Sequence, residues 1–320
     1  MRDDHALMAK VADLYYTRDL TQQAIAGRLG LSRPTVSRLL ERARAVGIVR
    51  VEITAPTDTH ATLERGLEEM FGLREAIVAT GHSESPGATR RALAQAAAAY
   101  LDRAVKARAR IGISWGTTLS AVLDVVRPRR LRVEVVPLVG GVGRADPAIH
   151  ANDLARRLAD LYHGDVVLLH APAIVGQPSV RDALLSDPRI REVLTLARKV
   201  DLALLGIGAL VPSSTLVQSR FFTADDLAAL RGRGAVGDIC TRSFDAAGQP
   251  VDHALDARIL AIDLADLRKI PTVVAVAGGL EKADAIAGAL RGGLANVLVT
   301  DHFAARAVLR GIKAGQEVPL

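Results

Sequence analysis

Five residues, Ser114-Trp115-Gly116-Thr117-Thr118, lie where the apolar run "RIGIS" gives way to a helical pattern. A glycine at that junction lets backbone come close to a ligand. Two threonines add hydroxyls to amides that lack partners inside a helix, an arrangement that suits a phosphate or a carboxylate. The same residues also make an ordinary turn and helix start, so the loop alone leaves both readings open. Three more glycine-bearing stretches are expected as loops at strand ends: Gly206-Ile207-Gly208, "GAVGDI" at 234–239 and "GGLEK" at 278–282. Lys282 falls in the first turn of an expected helix, against the macrodipole, a placement that an anionic ligand or Glu281 would relieve. Asp238, among small apolar neighbours, can accept hydrogen bonds from hydroxyls or tie down a turn. His170, after "VVLL", reads as a near-core histidine or a ligand contact, and Trp115 as packing. The candidates for holding a small anionic, hydroxylated molecule are thus Gly116, Thr117, Thr118, His170, Gly206, Gly208, Asp238, Gly278 and Lys282.

Other chemistries lack their residues. There is no G-x-x-x-x-G-K-[ST], and "GIGALV" misses the third glycine of a dinucleotide motif. No His, Asp and Glu group has metal-ligand spacing, and a single cysteine, Cys240, makes neither an intrachain disulfide nor a cysteine-built metal site. No cofactor and no metal are expected.

A second kind of anion is addressed at the N-terminus. Residues 27–50 carry six arginines (28, 33, 38, 42, 44, 50) against Glu41, while the whole chain carries a formal charge of only +6. The remainder is therefore nearly neutral. A basic element on a neutral body points to nucleic acid at one end. Leu7, Val11, Leu14 and Tyr15 space a first helix to about Thr17. Thr21 caps a second, which Gly30 ends; Ser32 caps a third, with Pro34 tolerated in its first turn. "QQAIAGRLGLSRPTVSRL" then places Ala26 at a close helix crossing, Gly30 in the turn and Val36 and Leu39 inward, a helix-turn-helix pattern. Ser32, Arg33, Pro34, Thr35, Ser37 and Arg38 are left to enter a major groove, and Thr21 and Gln22 to meet phosphates. "GIVRVEI" (47–53) alternates as a strand and reads as a small wing.

The elements behind the other candidates form a larger domain. "TAPTDTH" (54–60) is turn-rich, giving a helix-turn-helix domain at 1–54, a linker at 55–62 and a second domain at 63–320. There, "EAIVAT", "RIGIS", "RVEVVPLV", "DVVLL", "DLALLGIG", "TVVAVAGG" and "NVLVT" alternate with helical stretches, among them an alanine-rich one at 88–107. Near-continuous apolar strands separated by helices make a parallel α/β sheet covered on both faces, with ligands at the carboxyl ends of its strands. At 320 residues and 49% hydrophobic, the chain has ample material for two cores. No uncharged apolar run approaches the ~18–20 residues of a membrane span. "MRDDHALMAK" lacks a signal-peptide plan, and a reducing cytoplasm is the expected location.

With both halves read, the chain resembles the SorC family of bacterial transcriptional regulators, sometimes grouped with sugar-responsive DeoR-type regulators. The resemblance rests on the helix-turn-helix at 21–40, "GISWGTTL" at 112–119, "GAVGDI" at 234–239, "VAGGLEKADAI" at 276–286 and "NVLVTD" at 296–301. It implies a DNA-binding domain joined to a sugar-binding domain similar in fold to sugar-phosphate isomerases and amino-sugar-phosphate deaminases. It further implies a double-stranded DNA operator, a sugar or sugar-phosphate effector and a homo-oligomer, dimer or tetramer, with no membrane partner. By that likeness Gly116, Thr117 and Thr118 hold the effector's anionic end near Lys282, and Asp238 faces its hydroxyls.

The rival reading is a sugar-phosphate isomerase or deaminase with an appended DNA-binding domain. Proton transfer beside a carbonyl needs a positioned acid/base pair. The deaminase-type Asp-Gly-His after a glycine loop is missing, and "GIGALVPSS" has no titratable side chain. No enzymatic turnover is expected. A third reading, a DNA-associated scaffold with an empty sheet domain, is separable by ligand-dependent thermal stabilisation.

Overall fold

The computed structural model describes residues 2–49, 60–80, 85–141, 149–212, 214–218 and 223–315. The chain divides into two compact units, Met1–Thr57 and Asp58–Leu320.

In the first unit, helix α1 (Arg2–Ala12) continues as a π-helical stretch through Asp13–Thr17. Helix α2 (Gln22–Leu29) starts at Thr21, whose hydroxyl accepts the Ala24 N–H at 3.2 Å, and stops at Gly30 with φ +65°. Helix α3 (Arg33–Ala45) starts at Ser32, which accepts the Thr35 N–H at 3.3 Å. The inward stripe Val36, Leu39, Leu40 and Ala43 packs with Met8, Val11, Leu14, Ile25 and Ala26 into one core. Each large side chain there contributes about 1.5–3 kcal/mol by leaving water. Residues 47–49 form a turn; the rest of the expected wing, and most of the linker expected at 55–62, lie outside the described residues.

The second unit runs α4 (Ala61–Phe71), β1 (Glu75–Ala79), α5 (Pro86–Ala104), β2 (Arg110–Ile113), α6 (Thr117–Val125), β3 (Glu134–Pro137), α7 (Ala151–Leu161) and β4 (Asp165–Val166). It continues with α8 (Pro178–Ser186), α9 (Pro188–Ala197), β5 (Leu202–Gly206), β6 (Gly208–Ala209), α10 (Thr215–Gln218), α11 (Ala224–Gly232), β7 (Ala235–Ile239) and β8 (Arg242–Asp245). The last elements are α12 (Leu264–Leu267), β9 (Thr272–Val276), α13 (Ala283–Arg291), β10 (Val297–Asp301) and α14 (His302–Gly315). Seven strands pair in the order β1-β10-β9-β5-β2-β3-β4, and every pairing is parallel.

Period-2 alternation sends neighbouring residues of one strand into different layers. Ile111, Ile113, Val135, Leu202, Leu204, Val274, Val276 and Val299 pack under α5, α6 and α7. Ala203, Leu205, Val273, Ala275 and Leu298 face the opposite layer, which holds residues of α4, α9, α11, α13 and α14. This double burial is why the strands read as continuous apolar runs.

Two expectations change. "DVVLL" yields only the two-residue β4, because Asn152 captures the extended chain beyond it: its amide bonds Leu169 N and O at 3.1 and 3.0 Å. "GAVGDI" is not a loop at the end of a strand. Ala235–Ile239 is itself the central strand of a second, antiparallel sheet in the order β6-β7-β8. Glycine makes that sheet feasible: a Cβ on Gly237 would stand 2.6 Å from the Ala285 Cβ of α13 and 2.8 Å from the Gly208 oxygen.

Candidate functional site

From β2, the chain lays β3 and β4 on one side, whereas β5, β9, β10 and β1 lie on the other. The order therefore reverses between β2 and β5, and the connections leaving their carboxyl ends diverge into a crevice. A cavity of about 470 Å³ occupies it, a size suited to a small metabolite.

One wall is the start of α6. Gly116, at φ +125°, is its N-cap and brings no side chain to cap it. The Gly116 N–H is taken by the Ile149 oxygen at 3.1 Å, and the first amide to bond back is Ser120, to the Gly116 oxygen at 3.0 Å. The amides of Thr117, Thr118 and Leu119 thus lack both a cap and an intrahelical acceptor at the cavity wall, where they favour negative charge.

The opposite wall carries charge. In the pairing of β6 with β7, Gly208 stands opposite Asp238, and a Cβ on Gly208 would come within 1.9 Å of Asp238 Oδ1. Burial raises the Asp238 carboxyl to about 6, while the Lys282 charge and the Thr241 N–H pull it down. Lys282, the last residue of a 3-10 turn (Leu280–Lys282) and the N-cap of α13, is half-buried. Its pKa is lowered, first by burial and also by Arg90; Glu281 and Asp238 oppose that shift. A buried acid and a desolvated lysine in one cavity form a polar pair that a hydroxylated anion would complete.

Asp301, at the end of β10, fixes the third side. Oδ1 accepts the Phe303 and Ala304 amides at 2.8 and 3.1 Å, capping α14, while Oδ2 accepts the Gly279 N–H at 2.6 Å. The close fit needs glycine, since a Cβ on Gly278 would lie 2.3 Å from Oδ2. On the floor, the Cys240 thiol donates to Ser114 Oγ at 3.4 Å, and burial pushes its pKa up to about 12, so it stays a neutral thiol.

Gly116, Thr117, Thr118, Gly206, Gly208, Asp238, Gly278 and Lys282 all line this one cavity. His170 does not. It is exposed rather than near-core, because the Asn152 clamp turns the neighbouring Leu169 inward and leaves His170 in water. Trp115 is buried and also lines the cavity. Thr89, Arg90, Ser114, Cys240 and Asp301 join the lining as well. Asp301 had a readable signal, an acid between a strand and a helix at an N-cap position. Arg90 and Cys240 had none, because their place is set by packing of distant segments.

In the first unit, Thr21, Ser32, Arg33, Pro34 and Arg38 are exposed, and Gln22, Thr35 and Ser37 are half-buried. Thr21, Gln22 and Arg33 share a shallow groove with Tyr15 and Tyr16. Among the described residues no group of three or more His, Cys, Asp or Glu is placed to hold a metal ion, and no helix is long and apolar enough to cross a membrane.

Residues 56–310 match the family model described as "Putative sugar-binding domain", and residues 9–46 match Sigma-70, region 4. The chain is 32% identical over 312 residues to the deoxyribonucleoside regulator of Bacillus subtilis (strain 168), covering 97% of this chain and 99% of that one. It is 32% identical over 311 residues to the sorbitol operon regulator of Klebsiella pneumoniae, covering 96% and 99%. The crystal structure of that full-length regulator, SorC, superposes with a TM-score of 0.75 over 96% of this chain and 99% of its own.

Proposed function

Because this chain belongs to the SorC family of transcriptional regulators with a sugar-binding domain, we propose that the cavity at the switch point takes a sugar or sugar phosphate whose occupancy controls operator binding. The uncapped start of α6 carries this reading: Thr117, Thr118 and Leu119, whose amides have no cap, line the same cavity as Lys282 and Asp238. The anionic end of the effector nests on those amides beside Lys282, and its hydroxyls donate to Asp238. Gly206, Gly208 and Gly278 let backbone approach the molecule. His170 lies outside this lining and is left out.

Duplex DNA is read by α3: Arg33 and Arg38 meet base edges, Ser32, Pro34, Thr35 and Ser37 border them, and Thr21 and Gln22 meet phosphate. A single helix-turn-helix reads a short half-site, so the working species is a dimer or tetramer spanning half-sites ~34 Å apart or multiples of that. We assign 1–54 to DNA binding, 55–62 to the linker and 63–320 to effector binding, in a cytoplasmic protein without turnover. An effector acts by binding one conformation better than the other.

A thermal-shift screen of pentose and hexose phosphates, free sugars and polyols tests the cavity. A phosphosugar that raises the melting point, and loses that effect in Thr117→Ala and in Lys282→Ala, is the expected result. No shift with any member, or an undiminished shift in both variants, refutes it. Sustained turnover of ribose-5-phosphate or glucosamine-6-phosphate would overturn the non-enzymatic assignment.

A further inference from the structure

At the far end of the sheet from the cavity, where the strands begin, lies a basic surface that effector binding does not use. Residues 103–110 and 126–133 hold eight arginines and lysines and no acid. These segments lead into the adjacent strands β2 and β3, and the Arg108 N–H clasps the Leu131 oxygen at 2.8 Å. Three of the eight have structural duties. Arg103 pairs with Glu75, Arg110 pairs with Glu134, and Arg129 donates to the Asp102 oxygen near the end of α5. The other five, Lys106, Arg108, Arg127, Arg130 and Arg132, are exposed, and none makes a side-chain hydrogen bond or ion pair with a described residue. At Arg108 (φ +60°) and Arg132 (φ +52°) a long cationic side chain sits on left-handed backbone, where glycine or asparagine is the easier fit.

Cations do gather at helix C-termini to meet the macrodipole, and α5, α6 and α7 all end at this edge. Arg129 alone takes that role through a carbonyl. The acids at the same edge are Asp160, Asp165 and Asp201, all exposed, and the half-buried Asp102. Asp201 accepts the Arg110 N–H, while Glu134 and Asp124 are paired with Arg110 and Arg157.

We infer that this edge of the second unit is a further contact surface for duplex DNA, engaging phosphates without regard to sequence. Guanidinium forks match phosphate oxygens, and a row of unpaired cations matches a polymer with a charge every ~1.7 Å. A second copy of the chain meeting this surface through the same patch would oppose cation to cation. An amphipathic membrane anchor sets apolar residues beside its cations, and this patch has only Val125 beside it as an exposed large hydrophobic. The inference rests on duplex DNA being the partner of the first unit.

The test titrates the full chain with a long mixed-sequence duplex over a range of salt concentrations. The variant Lys106→Ala/Arg127→Ala/Arg130→Ala spares the two left-handed positions and all structural pairs. We expect its plot of log affinity against log salt to be shallower by about 2–3, and its low-salt affinity to fall at least ~10-fold. Arg127→Lys/Arg130→Lys should keep both close to the parent. A triple-alanine variant with the parent's slope and affinity overturns the inference while leaving the first unit's role intact. A parent chain that fails to bind the duplex at all overturns both.

Discussion

Replacing Asp238 with asparagine should make the protein more stable, and increasingly so as pH rises. The Asp238 carboxyl is held at about 6 against an ordinary 3.8, with burial as the largest cause. The folded chain therefore keeps this proton until about pH 6, whereas the unfolded chain releases it near pH 4. Between those values the folded state binds more protons, so the free energy of unfolding falls as pH rises and stays lower above pH 6. The gap between the two values corresponds to about 3 kcal/mol. Asparagine keeps nearly the same shape and does not ionise, so it escapes this penalty. Urea unfolding of the two proteins, measured in steps from about pH 4 to pH 7, gives the stability difference directly. Other groups titrating in that window cancel in the difference. We expect the difference to grow by up to about 3 kcal/mol in favour of Asp238→Asn and then level off. A difference that stays flat across the range would refute the desolvated-carboxylate account. Lys282→Met should move the inflection upward, since the Lys282 charge lowers the Asp238 pKa. The stabilised variant should also bind effector more weakly above pH 6, where the parent's carboxylate is ionised. A buried charge kept at a cost in stability is what a binding site requires.

Gly208→Ala should disable the site sterically, because its Cβ would stand 1.9 Å from Asp238 Oδ1. We expect effector affinity to fall at least ~10-fold, about 1.4 kcal/mol, by calorimetry, and an unchanged affinity would show that Asp238 is not a contact. Arg33→Ala with Arg38→Ala should abolish specific operator binding in a mobility-shift assay while the effector's thermal shift persists; retained operator affinity would discredit the assignment of α3 to the groove. Thr223→Ala removes one half of the capping box with Asp226 at the start of α11. It should lower stability by about 1 kcal/mol in denaturant unfolding with effector binding intact, and a loss of binding would show that α11 bears on the cavity.

Local chemistry was written into the chain itself. Thr21, Gly30, Ser32 and Pro34 mark helix boundaries through interactions spanning only three or four residues, so the first unit was readable without its neighbours. The parallel strands were equally plain, since burial on both faces demands unbroken apolar runs. The glycine loops, Asp238 and Lys282 could be named as polar features out of place, but each kept a bland alternative. Only the tertiary structure gathered them at a single cavity. The reversal of strand order between β2 and β5 opens the crevice, and β7 becomes a strand because Gly208 and Gly237 let it press against β6 and α13. Residues more than 160 positions apart, Thr117 and Lys282, thereby share one cavity, while His170 is turned away by a clamp from Asn152. Periodicity and capping act along a few turns of chain and are legible there. Convergence of distant loops depends on which strands lie side by side, and pairing across hundreds of residues leaves no local mark.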